Sequence, residues 1–301
     1  MEAQLEKIKY DVNAIAQAIE INPKDIHSVD FNSVTLESSI VLERETMIRG
    51  LLFKGGTRVI FHEGSSSVKN GFLARDTSRE VKYNLFTFKA GERIEFDING
   101  EVRSGYNIYE GGIVLPKVTI KAGILNIYPN GHLSSAFNVT SFKLGRYMTK
   151  EGYAMFHNPE EADTASVLTC YFNETTRWDE FEAAHMSKGM PARLSFSRGR
   201  SLAVPGKLLE FSPAFDTLVD GILCPKETPL SLYESQSLKY CELGMDKIIQ
   251  GIDLKTKETY LTFFESKRLE SIFSSHPVTV AGKTYNPWAK VWLNEDGTVK
   301  N

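Results

Sequence analysis

The residue types best suited to chemistry fall in one stretch of the chain: His157, Asp163, Cys170, Asp179, Glu182 and His185. A carboxylate beside an imidazole can take and return protons near neutral pH. Cys170 with His185 would supply the residue types of a thiol–imidazole pair. Metal chemistry has no matching spacing, because the chain carries no His-x-x-x-His, Cys-x-x-Cys or Asp-x-Asp-x-Asp run. The plainer reading packs His185 beside Trp178 and Phe181, buries Cys170 as a small apolar side chain and leaves the carboxylates solvated. No cofactor and no metal are expected, and no catalytic residue is assigned.

The stretch itself reads as an acidic insert, residues 157–190. Ser166 to Phe172 has the composition of a strand. Thr175 to Met186 reads as a short helix, with Thr176 as its N-cap and Asp179 and Glu180 near the positive end of its dipole. Gly189 would terminate it. Trp178, Phe181 and His185 then share one face. The expectation is that Trp178, Asp179, Glu182 and His185 line a binding site. A histidine among carboxylates holds its proton more tightly, so binding would respond to pH between about 5 and 8. A basic cluster follows at Arg193, Arg198 and Arg200, with Lys188 and Lys207 nearby. At a hairpin tip it would suit a phosphate or an acidic partner, or simply form a charged turn.

The elements that must position these residues come from a repeat. An apolar-x-apolar run, a polar turn and one apolar residue recur, as in Ile94 to Val102, Ile127 to Leu133, Leu232 to Leu238 and Leu293 to Val299. Anchored at Phe31, Phe61, Phe96, Tyr128, Phe156, Phe196, Tyr233, Phe264 and Leu293, the mean period is about 33 residues. Asn99-Gly100, Asn130-Gly131 and Asp296-Gly297 suit two-residue type I′ hairpin turns. A second Gly turn precedes several strands, at Lys54-Gly55-Gly56, Lys89-Ala90-Gly91 and Lys121-Ala122-Gly123, with Ala281-Gly282-Lys283 as a looser echo. Between turns, Arg93, Glu95 and Asp97 alternate with Ile94 and Phe96, the period of a strand with one wet face.

These Gly- and aromatic-punctuated hairpins, in segments such as Ala90 to Gly100 and Pro229 to Lys239, resemble repeats of the MORN type and their bacterial variants. The period is longer than a MORN unit, and the Gly-x-Gly pair is missing. The resemblance implies a sheet scaffold for protein or lipid contacts and no catalytic residues.

The expected fold is all-β and mainly antiparallel, a meander of about nine hairpin units forming an elongated sheet, a barrel or a sandwich. An amphipathic helix precedes it: Leu5, Ile8, Val12, Ile15, Ala16 and Ile19 keep helical spacing, and Asn22-Pro23 ends it. The segments are thus 1–22 helix, 23–156 repeats, 157–190 insert and 191–301 repeats, with Pro205 to Pro229 as either a boundary between two halves or a run of long loops. A net charge of −3, from 35 Lys and Arg against 38 Asp and Glu, leaves no basic footprint for nucleic acid. No run of 18 apolar residues predicts a transmembrane helix. The first residues lack a signal-peptide pattern, and the three unpatterned cysteines suit a reducing compartment, so the expected location is cytoplasmic. Two sequons, at Asn138 and Asn173, then carry no weight.

Two function classes fit. The first is a non-catalytic binding or scaffold protein that holds a protein or small-molecule partner. The alternative is a β-barrel enzyme or ligand binder, a cofactor-free lyase, isomerase or hydrolase, with its site at the insert.

Overall fold

The computed structural model describes residues 12–32, 34–81, 84–108, 112–115, 118–157, 166–184, 186–187, 190–191 and 193–300. The chain divides into two compact units, residues 1–140 with 158–160, and residues 141–157 with 161–301. Both are built from antiparallel hairpins, and the fold is a β meander. No pairing among the described residues closes either sheet into a barrel.

Each repeat holds two hairpins. A long pair joins the main sheet, as in Leu230–Leu232 with Leu238–Glu242 and Thr259–Phe263 with Leu269–Ser274. A short pair precedes it, as in Thr217–Val219 with Ile222–Cys224 and Lys247–Ile249 with Ile252–Leu254. The short pair's second strand is stitched to the end of a long strand at equivalent places. Ala74 donates to the Leu52 carbonyl, Ala214 to Glu182 and Gly244 to Leu223, each at 2.8 Å.

Turn chemistry separates the two kinds of hairpin. Four short pairs turn at Arg49-Gly50, Asp220-Gly221, Gln250-Gly251 and Ala281-Gly282, with positive φ at both residues. These are type I′ turns, where the backbone twist matches that of the strands. At Gly145-Arg146 and Asp179-Glu180 only the first residue has positive φ. Asn99-Gly100, Asn130-Gly131 and Asp296-Gly297, expected as type I′ turns, are not. There only the glycine is left-handed, at φ 85°, 81° and 90°. Gly100 N–H donates to the Asp97 carbonyl at 3.0 Å, and Asp97 N–H to the Glu101 carbonyl at 2.9 Å. That is a three-residue loop, a type I turn closed by a left-handed residue. Gln236 and Lys267 hold the same place at φ 68° and 67°. Replacing Gly100 or Gly131 by Val is expected to cost about 1–2 kcal/mol each, from left-handed strain. Denaturant midpoints read this directly, and an unmoved midpoint in both variants would contradict the loop assignment.

Several long pairs carry a bulge beside the loop, where two residues oppose one. Arg103 is such a residue, between the pairs Phe96–Val102 and Glu95–Ser104, as Lys239 and Glu270 are later. Arg103 donates to the Tyr128 carbonyl at 2.6 Å and pairs with Asp97. Asp97 also accepts the N–H groups of Asn99 and Glu101, at 2.9 Å each. Burial favours its neutral form, but the Glu101 N–H, the Arg103 charge and the Asn99 N–H outweigh that and lower its pKa. The folded value lies below the unfolded one. The pair therefore stabilises the fold above about pH 4 and stops doing so as pH falls through the folded value. Thermal melts between about pH 5 and 3 should fall more steeply for the parent than for Asp97→Asn. Parallel curves would sink this account.

The core depends on paired volumes at one repeat position. Phe53, ending a short pair, covers Gly71, where an added Cβ would lie 2.7 Å from the ring. Phe88 covers Gly105 in the same way, at 2.5 Å. At the equivalent place stand two medium side chains, Cys224 and Cys241, both fully buried. Large over small, or medium beside medium, fills the same space.

The helix is Val12–Ala18. Glu20, at φ 58°, ends it. Ile21 N–H then bonds back to Ala16 at 2.9 Å and Glu20 N–H to Gln17 at 3.3 Å, the double bond of a Schellman cap. Asn22 instead caps the short 3₁₀ turn Pro23–Asp25. Ala16 and Ile19 are buried, while Val12 and Ile15 are half-buried. Leu5 and Ile8 lie outside the described residues. No helix among the described residues is long and apolar enough to cross a membrane.

Candidate binding site

The expected insert helix is a hairpin. Thr176–Trp178 pairs with Phe181–Ala183, so Trp178 faces Phe181 directly across the turn. Asp179 takes positive φ, 53°, which a helix interior would forbid. Thr175 and Thr176 are β-branched and favour strand at its start. The segment is one more short hairpin of the repeat.

This hairpin seats Trp178 in an aromatic cluster. Its ring centroid lies 4.9 Å from Phe196, 5.2 Å from Tyr147 and 5.8 Å from Phe172. Phe172 and Phe196 are fully buried. Trp178 Nε1–H donates to Thr176 Oγ1 at 2.9 Å, which settles its polar end. The remaining exposed part of the ring helps line an open depression of about 720 Å³. Gly145, Arg146, Tyr147, Arg177, Asp179, Ala203 and Pro205 complete its walls.

Three separate segments build it. The Lys143–Leu144 and Tyr147–Met148 hairpin brings Arg146 and Tyr147. Tyr147 Oη accepts from Arg177 N–H at 2.8 Å and donates to the Arg177 carbonyl at 3.0 Å, locking the two hairpins together. The Arg146 guanidinium lies over the Tyr147 ring, 4.9 Å from its centroid, and donates to Tyr147 Oη at 2.7 Å. The third segment is the loop 197–207, held where Gly145 N–H meets the Leu202 carbonyl at 2.8 Å. Gly206 lets that loop close, since a Cβ there would lie 1.9 Å from the Ser197 carbonyl oxygen.

The residues expected at the site are partly reunited. Trp178 and Asp179 line the depression. Glu182 is half-buried on the opposite strand, across from Arg177, and is not part of the lining. His185 and Asp163 lie outside the described residues. His157 is tied into the scaffold, since its Nε2–H donates to the Phe196 carbonyl at 3.0 Å. His62 makes the same bond to Phe96 at 3.1 Å, and Tyr233 Oη to Phe263 at 2.7 Å. This loop residue reaches the next hairpin in several repeats, so its role is structural. Cys170 is 1% exposed, and burial raises its pKa, which keeps the thiol protonated and unreactive. Arg146, Tyr147 and Arg177 escaped the sequence reading. Their signal lay in the short-hairpin tip position, where Gly145-Arg146 and Asp179-Glu180 are equivalent.

Another hollow, of about 380 Å³, lies in the first unit between the helix and the residues Phe31, Leu36 and Phe61. Its walls are mostly apolar, with Ser38, Glu63, Ser65 and Ser66 also lining it.

No family model matches this chain, and no curated protein matches it either.

Proposed function

We propose that this is a non-catalytic binding protein, a repeat scaffold that holds a partner at the depression around Trp178. The observation that carries the reading is the convergence of three loops on a half-buried tryptophan whose exposed part faces solvent. Aromatic side chains fixed by a buried cluster are good contact anchors, because little rotamer freedom remains to be lost on binding. The surrounding arginines and turn backbone supply polar contacts. The candidate nucleophile Cys170 is sealed in the core. The hollow is broad and open, which suits a macromolecular surface better than a small molecule, since small-molecule sites enclose most of their ligand.

Native affinity capture with mass spectrometry tests this reading. The intact chain should retain a protein partner that Trp178→Phe keeps and Trp178→Ala loses. Equal recovery by parent and Trp178→Ala, both folded by circular dichroism, would remove the depression from the function.

A further inference from the structure

Cationic side chains outnumber acidic ones among the described lining residues of the depression. Two guanidinium groups, Arg146 and Arg177, line it. Both residues are exposed. Arg146 spends its hydrogen bonds on neutral acceptors, Tyr147 Oη at 2.7 Å and the Arg177 carbonyl at 3.3 Å. Neither arginine has a carboxylate partner among the described residues; Arg49 and Arg79 have none either, while Arg44, Arg58, Arg93, Arg103 and Arg193 each have one. Arg177 stands directly across from Glu182 in the hairpin, yet the two form no ion pair. Asp179 is the one carboxylate among the described lining residues. An arginine has five N–H donors, so most of those on this pair remain free for an incoming group.

We infer that the depression receives a carboxylate-rich segment of a partner protein, its acidic side chains on Arg146 and Arg177 and an apolar side chain against Trp178. This rests on the binding reading above and adds its chemical class. The guanidinium fork matches a carboxylate in two-pronged geometry. Arg146 is preorganised by its stack on Tyr147, so less freedom is lost when it pairs. An extended acidic segment also suits the open form of the hollow, which would leave a free anion wet.

Asp179 gives the inference a sign that can be tested. As the lining carboxylate it opposes an acidic ligand, and Asn accepts the same left-handed turn conformation. Asp179→Asn should therefore tighten binding without disturbing the hairpin.

The test uses the full chain and a fluorescent peptide of alternating glutamate and leucine, with a lysine–leucine peptide and inorganic phosphate as comparisons. Anisotropy should show the acidic peptide binding and the lysine peptide not binding. Arg146→Gln with Arg177→Gln should weaken binding about tenfold or more, and Asp179→Asn should strengthen it several-fold. Added salt should weaken it. No acidic-peptide binding up to about 1 mM, or equal binding of the lysine peptide, would overturn the inference. Displacement by phosphate at equal concentration would also overturn it, in favour of a simple anion site. A captured partner lost with Trp178→Ala but kept by the double arginine variant would sink the acidic assignment alone and leave the binding reading standing.

Discussion

Gly105→Ala is expected to destabilise the protein by about 1–3 kcal/mol, although alanine is the smallest side chain that could be added. The reason is the Phe88 ring, which would lie 2.5 Å from the new methyl carbon. Phe88 is itself 1% exposed and has no open space into which to move. Gly105 has an ordinary strand φ, so the penalty is steric and not conformational. The effect should therefore be reversible from the other side. Gly105→Ala combined with Phe88→Leu should recover part of the loss, so the pair should be non-additive in a double-mutant cycle. Gly71→Ala with Phe53→Leu should behave the same way, because that pair occupies the equivalent position. Urea midpoints for the singles and doubles measure it. Strict additivity would show that the rings and glycines do not compensate each other.

Phe196→Ala should have the largest effect of any single change near the depression, about 3–5 kcal/mol. Its ring is fully buried and meets Trp178 edge-on at 4.9 Å. Removing it deletes core volume and releases one side of the tryptophan. Stability should fall, and Trp178 fluorescence should shift toward longer wavelength as water reaches the ring. Trp288 and Trp292 also emit, so the comparison belongs in a background with both replaced by Phe. A large loss of stability with unchanged emission would mean that Trp178 is held by Tyr147 and Phe172 without Phe196.

Much of the scaffold was legible in the chain because its signals are local. A glycine at a loop reports left-handed backbone wherever the loop sits, and alternation reports a strand with one wet face. The anchors Phe61, Phe96, Phe156 and Phe196 fall at the ends of real strands. Turn class was harder. Asn-Gly suits both a two-residue turn and a type I turn closed by glycine, and only the pairing of Asp97 with Glu101 decides. The insert was misread for a related reason. Residues three apart share a helix face, but they also flank a two-residue turn, as Trp178 and Phe181 do. Periodicity cannot separate those cases over so short a run. The depression was legible only in part, because Arg146 and Tyr147 come from about thirty residues before Trp178 and meet its hairpin through the Tyr147 hydroxyl, which bonds to the Arg177 backbone. The volume pairing of Phe53 with Gly71 needed coordinates, since nothing in the spacing says which aromatic covers which glycine.

The central claim is that a partner is held at the depression, and a photo-crosslinking residue placed at position 203, where the exposed Ala203 lines it, tests it most directly. In a separate variant the label goes at position 248, on a later short hairpin where Ile248 is 69% exposed. Irradiation of the full chain in its native extract should give one discrete protein adduct from position 203, its crosslinked peptide rich in Asp and Glu, and none from position 248. Adducts of the same mass and yield from both positions, or none from position 203, would contradict the account.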